Sequence, residues 1–268
     1  MEMNKVNIDG VNIAYARQGT GPALVLIHGY PLDHSIWDEL APLLEHDFDL
    51  IIPDLRGFGG SDVMEADDSI IDYASDIAGL LGHLKLKRAY LAGHSMGGYV
   101  ALAFAREYEG KVAGLAMVSS QILGDAPDRK AGRYATAGQV LQQGVQPVVE
   151  AMAPKLSAQP PLQTFARGLI VKQPPLGIAA ALQAMAERPD SSDIFRTFPF
   201  PVVVIHGDAD MLIPVERGRE MKAALPSAHY VELAGAGHLP MLENPMGVTQ
   251  ALRFFKTVKV KGVKLLDN

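Results

Sequence analysis

Five residues, Gly93-His94-Ser95-Met96-Gly97, separate the apolar run Arg88-Ala89-Tyr90-Leu91-Ala92 from the helix-like run Gly98-Tyr99-Val100-Ala101-Leu102-Ala103-Phe104-Ala105. A G-x-S-x-G between a strand and a helix forms a turn so tight that it lifts the serine hydroxyl clear of the sheet. Glycines flank the serine because a Cβ there would collide with the neighbouring strand and helix, and because strained φ/ψ is cheapest for glycine. Met96 opens the helix, so its N–H faces whatever negative charge develops beside Ser95. Glycine and serine are common residues, and the pentapeptide gains force only if other segments agree with it.

The rest of the chain supplies the matching rhythm. Residues 3–8 and 11–17 alternate apolar and polar around Asp9-Gly10, a hairpin signal. Ala23-Leu24-Val25-Leu26-Ile27 reads as a strand buried on both faces. A helix is expected from Ser35 to about Leu44, then a strand over Asp49-Leu50-Ile51-Ile52. Between Ser69 and Leu84, Ile70, Tyr73, Ile77, Leu80, Leu81 and Leu84 recur at helical spacing. Further strands are expected at 112–118, 202–205 and 229–233, with helices near Val215 to Leu225 and from Pro245 onward. Strands alternating with helices indicate an α/β fold, with a mostly parallel sheet covered on both faces. From about Ile122 to Arg196 the alternation stops. That stretch is rich in Ala, Gln, Pro and Gly and suggests four short helices, an insertion placed to cover the strand C-termini, where catalytic loops gather.

Composition narrows the function classes. With 48% hydrophobic and 20% charged residues, the 268-residue chain can bury a substantial core. A net charge of −6 gives no electrostatic footprint for nucleic acid or an anionic membrane. The basic stretch Lys256 to Lys264 reads as the solvated end of a last helix and a tail. Zero cysteines exclude disulfides, thiolate metal sites and a cysteine nucleophile. No run of 18 apolar residues goes uninterrupted, so no transmembrane span is expected. MEMNKVNIDG contains no apolar core of a signal peptide, which sets a cytoplasmic location as the expectation.

A serine hydroxyl becomes a nucleophile when a base takes its proton and a buried carboxylate orients that base. Val202-Val203-Val204-Ile205 leads into two candidate acids, Asp208 and Asp210. Asp210, further into the loop, is placed to turn toward a pocket, whereas Asp208 is placed to brace the turn. After the next strand, Ala234-Gly235-Ala236-Gly237-His238 brings up the base, completing the order Ser95, Asp210, His238. Acyl transfer also needs two donors for the developing oxyanion. Met96 N–H is one, and Tyr30 N–H, in Ile27-His28-Gly29-Tyr30-Pro31, is placed to be the other. His28 is expected to brace its loop, His94 to pack behind the elbow away from the pocket, and His34, His46, His83 and His229 to be structural.

Together these segments resemble the α/β-hydrolase superfamily along nearly the whole chain. Asp54-Leu55-Arg56-Gly57-Phe58-Gly59-Gly60-Ser61-Asp62 looks like that family's structural loop beside the active site. With His28 to Asp33 and Trp37, it is most similar to small bacterial carboxylesterases and 3-oxoadipate enol-lactonases. The resemblance implies an eight-stranded, mostly parallel sheet with helices on both faces, a core of 1–121 and 197–268, and a helical lid over 122–196. It implies Ser95, Asp210 and His238 as catalytic residues, Tyr30 and Met96 as oxyanion donors, and no cofactor or metal.

The substrate expected is a small-molecule ester of a short to medium acyl chain, or alternatively a lactone or enol-lactone; a non-catalytic ligand receptor is the reading from another class. The oligomeric state is open. A serine at the elbow argues against haloalkane and epoxide chemistry, which needs a carboxylate there. Met211 after the acid, where the family's C–C bond hydrolases carry arginine, argues against that reaction. Met152, Leu156, Phe165, Leu169, Ile170, Leu176, Ile178, Leu182 and Met185 suggest an apolar pocket, with Met152 and Phe165 as candidate lining residues. Arg129, Lys130, Arg133 and Arg167 read as solvated helix faces, or as partners for a substrate carboxylate if the chain opens lactones.

Overall fold

A computed structural model describes residues 1–63 and 68–258. Eight strands form one sheet: β1 (Met3–Ile8), β2 (Val11–Gly19), β3 (Ala23–Ile27), β4 (Asp49–Pro53), β5 (Ala89–His94), β6 (Val112–Val118), β7 (Val202–Gly207) and β8 (His229–Leu233). Their order is β1-β2-β4-β3-β5-β6-β7-β8. β1 and β2 form an antiparallel hairpin on β4, and the remaining pairs are parallel. Asp9 and Gly10 both have positive φ, 48° and 96°, as a two-residue hairpin turn requires. β3, β4, β5 and β7 are buried along their whole length, which explains their continuous apolar runs.

Helix α1 (Ala41–Leu44) joins β3 to β4, so the chain first moves one way across the sheet. It then moves the other way through α2 (Ile70–His83), α3 (Met96–Glu107) and α9 (Glu216–Ala224). Right-handed crossovers therefore set α1 on the opposite face from α2, α3 and α9. α11 (Pro245–Thr257) packs beside α1, and α2 beside α3. The direction of travel reverses between β3 and β5, and open α/β sheets bind ligands beyond the strand ends at such a point.

Two expectations need correction. The helix expected from Ser35 to Leu44 is broken into a 3-10 turn at His34–Trp37 and the four-residue α1. Pro42 has no N–H to give the Asp38 carbonyl, so a continuous helix would lack that bond. Between β6 and β7 lie five helices rather than four: α4 (Pro127–Gln143), α5 (Gln146–Leu156), α6 (Pro160–Ile170), α7 (Pro175–Glu187) and the single-turn α8 (Ser192–Phe195). A short α10 (Pro240–Glu243) also precedes α11. Lys256 opens the basic stretch and pairs with Asp47 at 2.6 Å, while 259–264 lie outside the described residues. No described helix is long and apolar enough to cross a membrane.

The insertion is fastened to the sheet's loops. Gln173, between α6 and α7, donates to Asp33 Oδ2 at 3.1 Å and accepts the Gly59 N–H at 2.9 Å. Nearby, α7 approaches the loop after β4 so closely that a Cβ on Gly177 would lie 2.0 Å from the Gly57 carbonyl oxygen. Only glycine fits there.

Candidate active site

Ser95 follows β5 with φ 52° and ψ −113°, a left-handed conformation costing a non-glycine residue about 1–3 kcal/mol. Its surroundings hold it there. Its N–H donates to Val118 O at 2.9 Å, and its carbonyl accepts from Gly98 N at 2.9 Å and Ser120 Oγ at 2.8 Å. A Cβ on Gly93 would sit 2.2 Å from Gly97 O, and one on Gly97 would sit 2.4 Å from Ile27 O. The two flanking glycines are therefore sterically required, as the motif predicts.

Asp210 and His238 meet from adjacent strand ends. Asp210 Oδ1 accepts the N–H groups of Leu212 at 2.8 Å and Ile213 at 2.9 Å. Its Oδ2 accepts from His238 Nδ1 at 2.7 Å. His206, not singled out from sequence, donates through Nε2 to Ile213 O at 2.8 Å and lies 3.5 Å from the same Oδ2. Burial pushes the Asp210 carboxyl up, but the two imidazoles and the backbone donors outweigh it and hold it well below the usual carboxylate range. Asp208 instead is exposed and accepts the Gly235 N–H at 2.7 Å, bracing the loop that carries His238.

Three contacts fix the His238 backbone. Its N–H donates to Leu156 O at the end of α5, at 3.1 Å. Its carbonyl accepts from His94 Nε2 at 2.8 Å. Just before it, Gly237 N–H donates to Glu243 Oε2 at 2.5 Å, and the Ser157 hydroxyl binds the other Glu243 oxygen. His94 thus does more than pack behind the elbow: it pins the loop of the candidate base. Burial and then the neighbouring His238 hold the His94 pKa well below the ordinary imidazole value. Helical periodicity carries no signal for Glu243 or Ser157, because their partners are 6 and 86 residues away.

Tyr30 lies three residues beyond Ile27 and Met96 three beyond Gly93, and Ile27 and Gly93 are register partners in β3 and β5. The two candidate donors therefore leave the sheet at the same level. Met96 N–H opens α3 and has no intrahelical acceptor. His28 braces the Tyr30 loop: its Nε2 accepts the Leu55 N–H at 2.9 Å, and its Nδ1 donates to Gly29 O at 3.0 Å. Burial lowers the His28 pKa, in keeping with this neutral role. Asp33, His34 and Asp54 also converge. Their atoms are engaged in capping Ser35, holding Gln173, and binding His34 and Gly60.

Ser95, His238 and Tyr30 line one cavity of about 200 Å³, together with Tyr99 from α3 and Leu212 and Ile213 from the loop after β7. The insertion contributes Arg129, Arg133 and Thr136 from α4, Val148, Ala151 and Met152 from α5, and Leu182 and Met185 from α7. Of the two candidate lining residues, Met152 borders this cavity. Phe165 does not line it: it is half-buried on α6 and packed against the core. Leu156, Leu169, Ile170 and Ile178 pack inside the protein, and Leu176 is exposed. Among the cations, Lys130 pairs with Glu187 at 3.2 Å and Arg167 is exposed, but Arg129 and Arg133 face the cavity rather than forming a wholly solvated helix face.

Comparison with known proteins agrees with this architecture. A thermophilic esterase from Thermogutta terrifontis, solved with malate bound, is 37% identical, with a TM-score of 0.91 over 96% of this chain and 98% of that one. A pimeloyl-acyl-carrier-protein methyl ester esterase from Vibrio vulnificus is 28% identical, over 91% of this chain and 98% of its own. The enol-lactonase from Burkholderia xenovorans LB400 shares the fold at a TM-score of 0.87 and 24% identity, covering 95% of this chain and 100% of that one. Residues 22–245 match the alpha/beta hydrolase fold family, and the chain belongs to it.

Proposed function

We propose that this chain is a serine hydrolase that cleaves small carboxylic esters through an acyl-enzyme on Ser95. The observation that carries the reading is the 2.7 Å bond from His238 Nδ1 to the buried Asp210, beside the same cavity as the strained Ser95. With Nδ1 held by the carboxylate, Nε2 is left to take the Ser95 proton as Oγ attacks the ester carbonyl. The N–H groups of Tyr30 and Met96 stabilise the oxyanion. His238 then returns the proton to the leaving alkoxide as the C–O bond breaks, and water releases the acid by the same route. No step draws on a metal or cofactor.

In this reading residues 1–121 and 197–268 are the hydrolase core, and 122–196 act as a lid that shapes the acyl pocket. The esterase neighbours support an ester substrate, and a lactone would meet the same machinery. The test is Ser95→Ala, assayed with p-nitrophenyl esters and a lactone panel. Loss of about 10⁶-fold in kcat with an unchanged circular dichroism spectrum is expected. A variant retaining a tenth of the activity would end the covalent mechanism, and a wild-type protein that binds esters without cleaving them would favour a receptor.

A further inference from the structure

The cavity beside Ser95 is not apolar throughout. Arg129 and Arg133 lie four residues apart on α4, so they share a helix face, and both line the cavity. Arg133 binds Asp125 through Nε and reaches the Met185 thioether, a weak acceptor, through NH1 at 3.3 Å. Arg129 Nε is 3.4 Å from the same carboxylate. Asp125 is also claimed by Arg188, at 2.8 Å. Arg188 also donates to the Met185 and Leu123 carbonyls and lies over the Tyr99 ring at 4.0 Å.

Three guanidinium groups thus share one buried carboxylate, leaving two positive charges in excess. Among the described residues, no other carboxylate comes within 4.0 Å of Arg129 or Arg133. This excess sits beside the nucleophile in a chain whose net charge is −6. Tyr30, another lining residue, has a buried hydroxyl with no hydrogen-bond partner among the described residues. Burial pushes its pKa up, and the charge of Arg133 pulls the other way, so the two groups share one local field. Guanidinium N–H groups without an acceptor among the described residues and a donor hydroxyl fit a carboxylate better than a hydrocarbon.

We infer that the cavity is a carboxylate subsite: Arg133 and Arg129 hold the free carboxylate of a small anionic ester or lactone, such as a hemiester of a short dicarboxylic acid. The inference rests on the ester-hydrolase reading for its chemistry, but the binding it describes is separable from catalysis. Calorimetric titration of the Ser95→Ala protein with monomethyl glutarate and with methyl valerate, its neutral counterpart, measures that binding without turnover. The anionic ligand is expected to bind at least about tenfold more tightly, the scale of hydrogen bonds to a charged group. Arg133→Met should abolish the preference and Arg133→Lys retain part of it. Arg129, more exposed than Arg133, provides a second variant, Arg129→Met, should loss of Arg133 disturb folding. Equal affinities for the two ligands, or a preference undiminished in both methionine variants, would overturn the subsite. Preferential binding by a wild-type enzyme that hydrolyses neither ligand would leave the subsite standing and sink the hydrolase reading instead.

Discussion

Asp210→Asn changes one terminal atom of a side chain that accepts three hydrogen bonds and has the His206 imidazole 3.5 Å from Oδ2, and the structure says which bond suffers. Oδ1 accepts two backbone N–H groups, from Leu212 and Ile213, and Oδ2 accepts from His238 Nδ1. Asparagine has one accepting end and one donating end. Turning its NH₂ toward the loop would strand two buried donors, at about 1–3 kcal/mol each. Turning it toward His238 strands at most one, and none if the imidazole moves its proton to Nε2. The second arrangement wins, leaving the tautomer that cannot accept the Ser95 proton. The expected loss is about 10⁴-fold in kcat, which at 1.36 kcal/mol per tenfold is about 5.4 kcal/mol. Steady-state hydrolysis of p-nitrophenyl butyrate reads it directly, with KM changing little. Asp208→Asn is the control: the asparagine oxygen can still accept from Gly235, and an exposed substitution of this kind shifts stability by about 0.5 kcal/mol or less. Retention of more than a tenth of wild-type kcat in Asp210→Asn, or an equal loss in Asp208→Asn, would refute the assignment.

Two other outcomes are expected. The folded chain resists protonation of His94, whereas the unfolded chain takes up the proton near pH 6.5, so this contribution to stability is complete above about pH 6.5 and is lost as pH falls below it. At His34, burial lowers the pKa but the Asp54 hydrogen bond outweighs it, giving the opposite slope. The comparison with His94→Gln isolates the first effect: between pH 7.5 and 5 the Tm of wild type should fall more steeply than that of the variant, and parallel curves would contradict the argument. Met152→Ala should move the acyl optimum of a p-nitrophenyl ester series toward longer chains. Each newly buried methylene is worth about 0.8 kcal/mol, or close to fourfold in kcat/KM. Phe165→Ala, outside the cavity, should leave the optimum in place, and a shift there with none in Met152→Ala would mean the wall is wrongly drawn.

Much of the site was legible because its parts are local. The elbow, the acid loop and the loop carrying His238 each follow a strand directly, and the spacing within each loop says which residue reaches forward. The bonds that steady those parts span long separations. His94 holds a carbonyl 144 residues away, and Ser157 reaches Glu243 from a different helix, so neither leaves a periodic trace. Met152 and Phe165 look alike in sequence, both apolar residues on short helices. Only the packing of α5 and α6 determines that one borders the cavity and the other does not. Arg133 and Arg167 differ in the same way. Pro42, in contrast, stands in the sequence itself as a residue with no N–H to give a preceding turn, and the helix expected from Ser35 to Leu44 takes no account of it.

The contact between Gly57 and Gly177 makes α7 a lever with a fixed fulcrum. Leu182 and Met185, which border the cavity, lie five and eight residues beyond that point on the same helix. A side chain added at Gly177 would meet backbone rather than a yielding side chain, so the helix itself would have to tilt or rise. Cavity shape can therefore be altered from a position that borders no part of it. Laboratory diversification for new substrates divides accordingly: a change at Thr136, Ala151 or Met152 alters one patch of the wall around a constant anchor, whereas a side chain added at Gly57 or Gly177 resets the whole wall at once.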